Sequence, residues 1–351
     1  MRHHTAAAEI YDHWHENSNI VQLRHPMAEF NAREGMDLDR YLEYSNKIGK
    51  GSNADGIIRW ADILNEVPAI ENYASAHHGQ RLRLQRFNWP ADGDLSTQTV
   101  SIVNTPFSVS LDWNQVLYAH YVLAKSINQP MIAFENPGYG GSDSLSIAQR
   151  TALWRGEFKP VTDTMSDIIQ SMGVKSVNAI GYSMGADLAA SFAANANKYH
   201  INVERLFVME SPRVVPQSVG KLALNFWRET PNLKFAWTHP ADPVLRSIVK
   251  LDFGLPKGLT TYGPALYKGG FEQDVCQALE TQPDMALIIG ASGASKVSPK
   301  HATTLLYRRI SSSYPQHSSR LIIMPGETHS YGDSVQRYSH LVKMALTDNR
   351  S

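Results

Sequence analysis

Hydrophobic and polar positions along the chain change rhythm near residue 97. Residues 1–94 are polar and mixed in charge. Apolar residues fall near helical spacing in MDLDRYLEYSNKIG (36–49) and GIIRWADILNEV (56–67), and RLRLQRFNW (81–89) alternates as a half-buried strand would. Beyond residue 97, short apolar runs alternate with helical patterns. TVSIVN (99–104) predicts a strand, WNQVLYAHYVLAKSI (113–127) a helix, and PMIAFENPG (130–138) a strand and turn. TDTMSDIIQSMG (162–173) predicts a helix closed by Gly173. SVNAIGYS (176–183) runs from strand into turn, and GADLAASFAANAN (185–197) predicts an alanine-rich helix. RLFVMES (205–211), DMALIIGAS (284–292) and RLIIMPGE (320–327) predict three more strands, with helical patterns near 299–310 and 334–346.

Alternating strands and helices predict an α/β fold, with a mostly parallel sheet and helices on both faces. Short, wholly apolar strands suit burial on both sides. Residues 212–283 break the alternation with prolines, aromatics and helical pieces such as VGKLALNFWRE (219–229), as an inserted helical cap would. The expected organisation is an N-terminal extension over 1–94, a core over 95–211 and 284–351, and the cap over 212–283.

Composition narrows the function classes. Lys+Arg is 33 and Asp+Glu is 33, with no basic stripe, so no nucleic-acid partner is expected. No apolar run approaches the roughly 20 residues of a membrane span, and the amino terminus has no apolar core of a secretory signal. The single cysteine, Cys276, fits a reducing compartment. These features predict a soluble cytoplasmic protein. The pairs His3-His4, His13-x-His15 and His77-His78 lack further ligands at metal-site spacing, and GYGG (138–141) is neither a dinucleotide fingerprint nor a phosphate loop. No metal and no cofactor are expected.

The candidate chemistry begins at Gly181-Tyr182-Ser183-Met184-Gly185-Ala186. About 0.1 chance matches to G-x-S-x-G are expected in such a chain, so its setting carries the argument. It follows an apolar strand and opens an alanine-rich helix, where a sharp turn would lift Ser183 clear of the sheet. The Met184 amide, at the start of the helix, could then donate to a developing oxyanion. The other reading of Ser183 is a helix N-cap.

Over residues 97–347 the chain resembles the α/β-hydrolases. ENPGYGGSDS (135–144) resembles that family's D-x-P-G-x-G-x-S turn, with Glu135 in place of Asp, a scaffold feature without a catalytic role. A serine hydroxyl needs a base. His329, just past the last strand, fits the family's histidine position. His317 precedes that strand, His340 lies in a helix, and His301 is the remaining rival.

The acid departs from the common pattern. The loop GASGASKVSPK (290–300), where the family usually carries it, holds no carboxylate, and Ser295 stands about there. Either the triad is broken or the acid lies elsewhere. Glu210 ends the strand after the nucleophile, at the same sheet edge. Some haloalkane dehalogenases of this fold carry Glu there, so the resemblance implies Glu210 as the acid that orients His329. The other reading is a salt bridge, for instance with Arg213.

Those dehalogenases also carry H-G-N-P-T-S-S after the third strand. Here Val103-Asn104-Thr105-Pro106-Phe107-Ser108-Val109 keeps the proline and first serine but lacks His-Gly. The alignment implies the Thr105 amide as second oxyanion donor, with the Asn104 side chain able to assist. Dehalogenation needs a carboxylate nucleophile, whereas Ser183 suits acyl transfer. The expected partner is a small-molecule acyl substrate, and the expected reaction is carboxylic ester hydrolysis. Cap aromatics Phe226, Trp227, Phe235, Trp237 and Tyr267 could line an acyl pocket or form the cap's own core. A thioesterase, amidase, acyltransferase or perhydrolase would use the same triad, and a non-catalytic binding module on this fold stays open as a reading.

Overall fold

The structure, a computed structural model, describes residues 20–22, 67–238, 260–329 and 335–347, except residues 92, 96, 108 and 113. The helices expected over 36–49 and, but for its last residue, 56–67 lie outside the described residues. So do Ser108 and the histidine pairs near the amino terminus.

Among the described residues nine strands form one sheet: β1 (Ile20–Gln22), β2 (Glu71–Ala74), β3 (Arg81–Phe87), β4 (Thr99–Asn104), β5 (Met131–Phe134), β6 (Ser176–Tyr182), β7 (Asn202–Met209), β8 (Ala286–Ser292) and β9 (Ser319–Met324). Their order is β1-β9-β8-β7-β6-β4-β5-β3-β2. β3 pairs antiparallel with both β5 and β2, and all other pairings are parallel. The sheet is therefore mostly parallel, as the alternating pattern predicts. Residues 1–94 supply β1, β2 and β3, all paired within this sheet.

Successive strand residues point to opposite faces, and both faces are apolar. On one, Ile102, Ala179, Leu206, Val208, Leu287 and Leu321 join the core beneath α3 (Lys159–Ser171), α4 (Met184–Ala196), α7 (Phe271–Thr281) and α8 (Lys300–Ser313). On the other, Val103, Ile180, Phe207, Ile288 and Ile322 join a second core beneath α1 (Asn114–Ile127) and α9 (Val335–Thr347). This double burial is why the strands read as continuous apolar runs rather than alternating ones.

α4 is the central helix. Every residue from Met184 to Ala196 is buried, because α3 and α7 flank it and β6 and β7 lie beneath it. Its alanines let these neighbours approach on all sides. α7 falls within residues 212–283 yet packs in this layer through Val275, Ala278 and Leu279.

Two short helices, α2 (Ile147–Arg155) and α6 (Gly263–Leu266), were not among the sequence expectations. α2 carries a legible signal. Ser146 accepts from the Gln149 amide and the Gln149 side chain accepts from the Ser146 amide, a capping box, and Gly156 closes the helix in the left-handed conformation. α5 (Val219–Thr238) extends well past the expected 219–229. Among the described residues no helix is long and apolar enough to cross a membrane.

The β2–β3 hairpin is fastened to α3 by one buried carboxylate. Asp167 accepts from Ser75 Oγ at 2.5 Å and from the His77 amide at 3.0 Å, and its other oxygen pairs with His77 Nδ1. Burial pushes this carboxyl up, but the bonds from Ser75 and His77 outweigh it and hold it at about 2. A depressed carboxyl stabilises the fold above its unfolded value of about 4 and loses that contribution as pH falls through its folded value. Asp167→Asn is therefore expected to cost about 1–3 kcal/mol at neutral pH, with the gap from the parent closing as pH falls below about 4. Urea titrations of both proteins across that range check this.

Candidate active site

β6 ends at Tyr182 and α4 begins at Met184, so Ser183 alone makes the strand-to-helix turn. Its backbone sits at φ 55°, ψ −129°. Among the described residues, Asn88, Asn128, Ser183, His200 and Glu210 are the non-glycine residues at positive φ. Asn and His tolerate that region, whereas Ser183 and Glu210 are held there at a cost on the order of 1–3 kcal/mol each.

The two motif glycines make the turn possible. A Cβ on Gly181 would fall 2.1 Å from Gly185 O, and one on Gly185 would fall 2.2 Å from Asn104 O. The turn is closed by Ser183 N donating to Met209 O at 2.9 Å and Ala186 N donating to Ser183 O at 2.9 Å. Ser183 occupies the N-cap position, yet its side chain makes no capping hydrogen bond.

That side chain instead faces His329. Ser183 Oγ lies 2.9 Å from His329 Nε2, and His329 Nδ1 lies 3.2 Å from Glu210 Oε2. An ionised carboxylate only accepts, so Nδ1 carries the proton and Nε2 is left to accept from the serine hydroxyl. All three residues are buried, with relative exposures of 4% for Ser183, 6% for His329 and 1% for Glu210. Glu210 Oε1 accepts from the Ser292 amide at 2.6 Å. The end of β8, where the family pattern usually brings a carboxylate, here supplies an N–H to a carboxylate from the neighbouring strand.

Arg213 is not the partner of Glu210. Its Nη1 donates to Asp274 at 2.8 Å, and its other nitrogens donate to Gly269 O and Gly156 O. Ser295 Oγ accepts from the Ser298 amide within its own loop. His317 is buried with Nδ1 3.1 Å from Met285 O, while His301 is exposed at the start of α8. Of the histidines weighed from sequence, His329 is the one hydrogen-bonded to Ser183.

Two residues that the sequence reading did not single out hold His329 from behind. Tyr182 Oη donates to His329 O, and the Tyr182 ring lies tilted against the imidazole, 5.4 Å between centroids. Glu229, buried on α5, accepts from the His329 amide at 2.5 Å. Phe226, one turn earlier, meets the imidazole edge-on at 5.1 Å. Tyr182 lies inside the serine motif and was open to inspection. Glu229 carries no motif, and only the packing of α5 reveals it. Of the other aromatics weighed between 212 and 283, Trp227 is 72% exposed and Tyr267 packs on the main core, whereas the side chains of Phe235 and Trp237 lie outside the described residues.

Met184 is the first residue of α4, so its amide has no intrahelical partner. Asn104 and Thr105 pass beside the first turn of α4, within the reach of a Cβ on Gly185. Thr105 is held from below, where Asn136 Nδ2 donates to both its carbonyl and its hydroxyl at 3.0 Å. Glu135 has a structural place. Its carboxylate accepts from Ser110 Oγ and from the amides of Leu111, Gly141 and Ser142. In the first turn of α4, burial pushes the Asp187 carboxyl up to about 7, against the downward pull of Arg213 and of the Ser211 hydroxyl. A carboxyl that is partly neutral at neutral pH places less negative charge near the N-terminus of α4.

No family model matches the chain, and no curated protein matches it. Solved structures do. The 2-hydroxy-6-oxo-6-phenylhexa-2,4-dienoate hydrolase from Rhodococcus sp. strain RHA1 is similar at 15% identity with a TM-score of 0.55, over 81% of this chain and 100% of that one. The enol-lactonase from Burkholderia xenovorans LB400 is similar at 14% identity and 0.53, over 79% and 100%. A thermophilic esterase from Thermogutta terrifontis is similar at 15% and 0.52, over 79% and 98%. The chain has the α/β-hydrolase fold.

Gly185→Ala would drive a Cβ into the Asn104 carbonyl, and neither backbone can yield without moving the elbow or the end of β4. It is expected to destabilise the protein by about 1–3 kcal/mol or more, read as a fall in thermal unfolding temperature.

Proposed function

We propose that the protein is a serine hydrolase that cleaves a carboxylic ester through an acyl-serine intermediate. The observation that carries this reading is the unbroken hydrogen-bonded line from Ser183 through His329 to Glu210. In the first step Ser183 Oγ attacks the ester carbonyl carbon while His329 Nε2 takes the hydroxyl proton. The tetrahedral intermediate collapses, and the imidazolium returns that proton to the departing alkoxide. Water then attacks the acyl-serine with the same base, releasing the acid and restoring the hydroxyl. Glu210 fixes the tautomer and stabilises the imidazolium.

The oxyanion falls to the amides of Met184 and Thr105. The first is a free helix-terminal donor, and the second lies on the segment that abuts the same turn. The inserted segment over 212–283 would cover the site, with Phe226 beside the imidazole as one apolar wall for an acyl group. A small-molecule substrate and a cytoplasmic setting complete the reading.

A fluorophosphonate probe tests it, because the probe labels an activated serine and ignores an inert one. The parent is expected to label, and Ser183→Ala to lose labelling completely. Glu210→Gln, shown to be folded, is expected to slow labelling by roughly a thousandfold or more, since the amide no longer selects the productive tautomer. A parent that stays unlabelled beside a working control hydrolase would overturn the proposal.

A further inference from the structure

The loop without its expected acid has another role. Residues 293–298 follow β8 and lie against three polar side chains, Asn225 and Glu229 of α5 and Gln217 just before it. Asn225 Nδ2 donates to Lys296 O at 3.0 Å, and Gln217 Nε2, from the approach to α5, donates to Val297 O at 3.0 Å. Glu229 Oε1 accepts from the Lys296 amide at 2.6 Å and the Val297 amide at 3.2 Å. The other oxygen, Oε2, accepts from the His329 amide at 2.5 Å. One carboxylate of the inserted segment thus spans the loop after β8 and the loop after β9.

We propose that Glu229 is a positioning residue for His329, clasping the histidine loop to α5 so that the imidazole is aligned between Ser183 and Glu210 only while α5 is docked. This rests on the serine-hydrolase reading above.

The chemistry of the acceptor makes the clasp specific to a carboxylate. Three backbone N–H groups converge on two oxygens, and Glu229 is 3% exposed. A glutamine has one oxygen and one NH2 group. Either way round, a donor faces a donor, and a buried amide is left unsatisfied. The remaining anchors of His329 do not replace it. Tyr182 holds the carbonyl on the other side of the residue, and Glu210 and Ser183 hold only the ring. Without Glu229 the backbone N–H of His329 is free to swing, and the ring moves with it. Phe226 lies on the same helix against the same ring, so undocking α5 would remove both constraints together.

The arrangement also connects two features that look unrelated in the sequence. Placing the acid at Glu210 leaves the loop after β8 with no carboxylate to deliver. Its Lys296 and Val297 amides and carbonyls serve instead as a dock for α5. The cap and the histidine are then held by the same loop.

The test compares Glu229→Gln and Glu229→Asp with Leu222→Ala, a change to a buried apolar residue of the same helix. All are assayed where circular dichroism shows them folded. Fluorophosphonate labelling rates are measured, together with the downfield proton signal of His329 Nδ1–H in the proton spectrum. Both Glu229 variants are expected to label roughly tenfold to a hundredfold more slowly than the parent, with the imidazole signal shifted or lost. Leu222→Ala should keep the signal and label near the parental rate despite its thermal destabilisation. Glu229 variants that label like the parent with an unchanged signal would overturn the clasp while leaving the serine-hydrolase reading intact. So would a Leu222→Ala protein that reproduces both losses while its near-ultraviolet circular dichroism matches the parent's, since α5 would then be docked with its carboxylate in place. A parent that does not label overturns the serine-hydrolase reading and the clasp with it.

Discussion

A serine at positive φ with no capping bond is held by its surroundings or not at all. At Ser183 those surroundings are a closed set. The Met209 carbonyl pins its amide, Ala186 pins its carbonyl, and Gly181 and Gly185 leave out the Cβ atoms that would collide with backbone on either side. Each support belongs to an element with its own anchor. Met209 ends a buried strand paired on both edges, and α4 is buried along its whole length. The strain at one residue is thus spread over β4, β6, β7 and α4. That is why the centre of the sheet, rather than a surface loop, carries the hydroxyl.

Buried carboxylates organise the rest of the sheet edge. Each is stabilised by donors that point at it, the condition under which a charge can be removed from water. Glu135 gathers two amides from the turn after β5 and one from the segment before α1. Glu210 takes the Ser292 amide and the His329 ring. Glu229 takes three amides from two loops. Loops that would otherwise carry unsatisfied buried N–H groups are fixed in place by these anions, so the geometry around His329 follows from backbone satisfaction as much as from side-chain packing.

Much of this was legible before folding was considered. The apolar runs 99–104, 176–182 and 286–292 are strands at nearly the expected bounds, because a strand buried on both faces has little polar character to blur its edges. Ser183 and His329 were singled out by motif and position, and Glu210 by its strand end and a family resemblance; the structure brings the three side chains into one hydrogen-bonded line. The signal failed where an element draws its character from a partner. β2, at the sheet margin, has alternating burial over only four residues. Glu229 could not be picked out, since nothing local separates it from any glutamate on an exposed helix face.

The sequence by itself determined the strand and helix alternation, the small residues that a tight elbow demands, and the supply of a hydroxyl, a carboxylate and an imidazole after β6, β7 and β9. These are local properties, set by side-chain size, backbone freedom and period. The tertiary structure alone decided which carboxylate meets which partner. Glu210 faces the imidazole rather than Arg213, Asp274 takes the guanidinium, and Glu229 reaches the histidine backbone one hundred residues away in the chain. Such choices depend on desolvation and on converging N–H groups, and both exist only after distant segments have packed together.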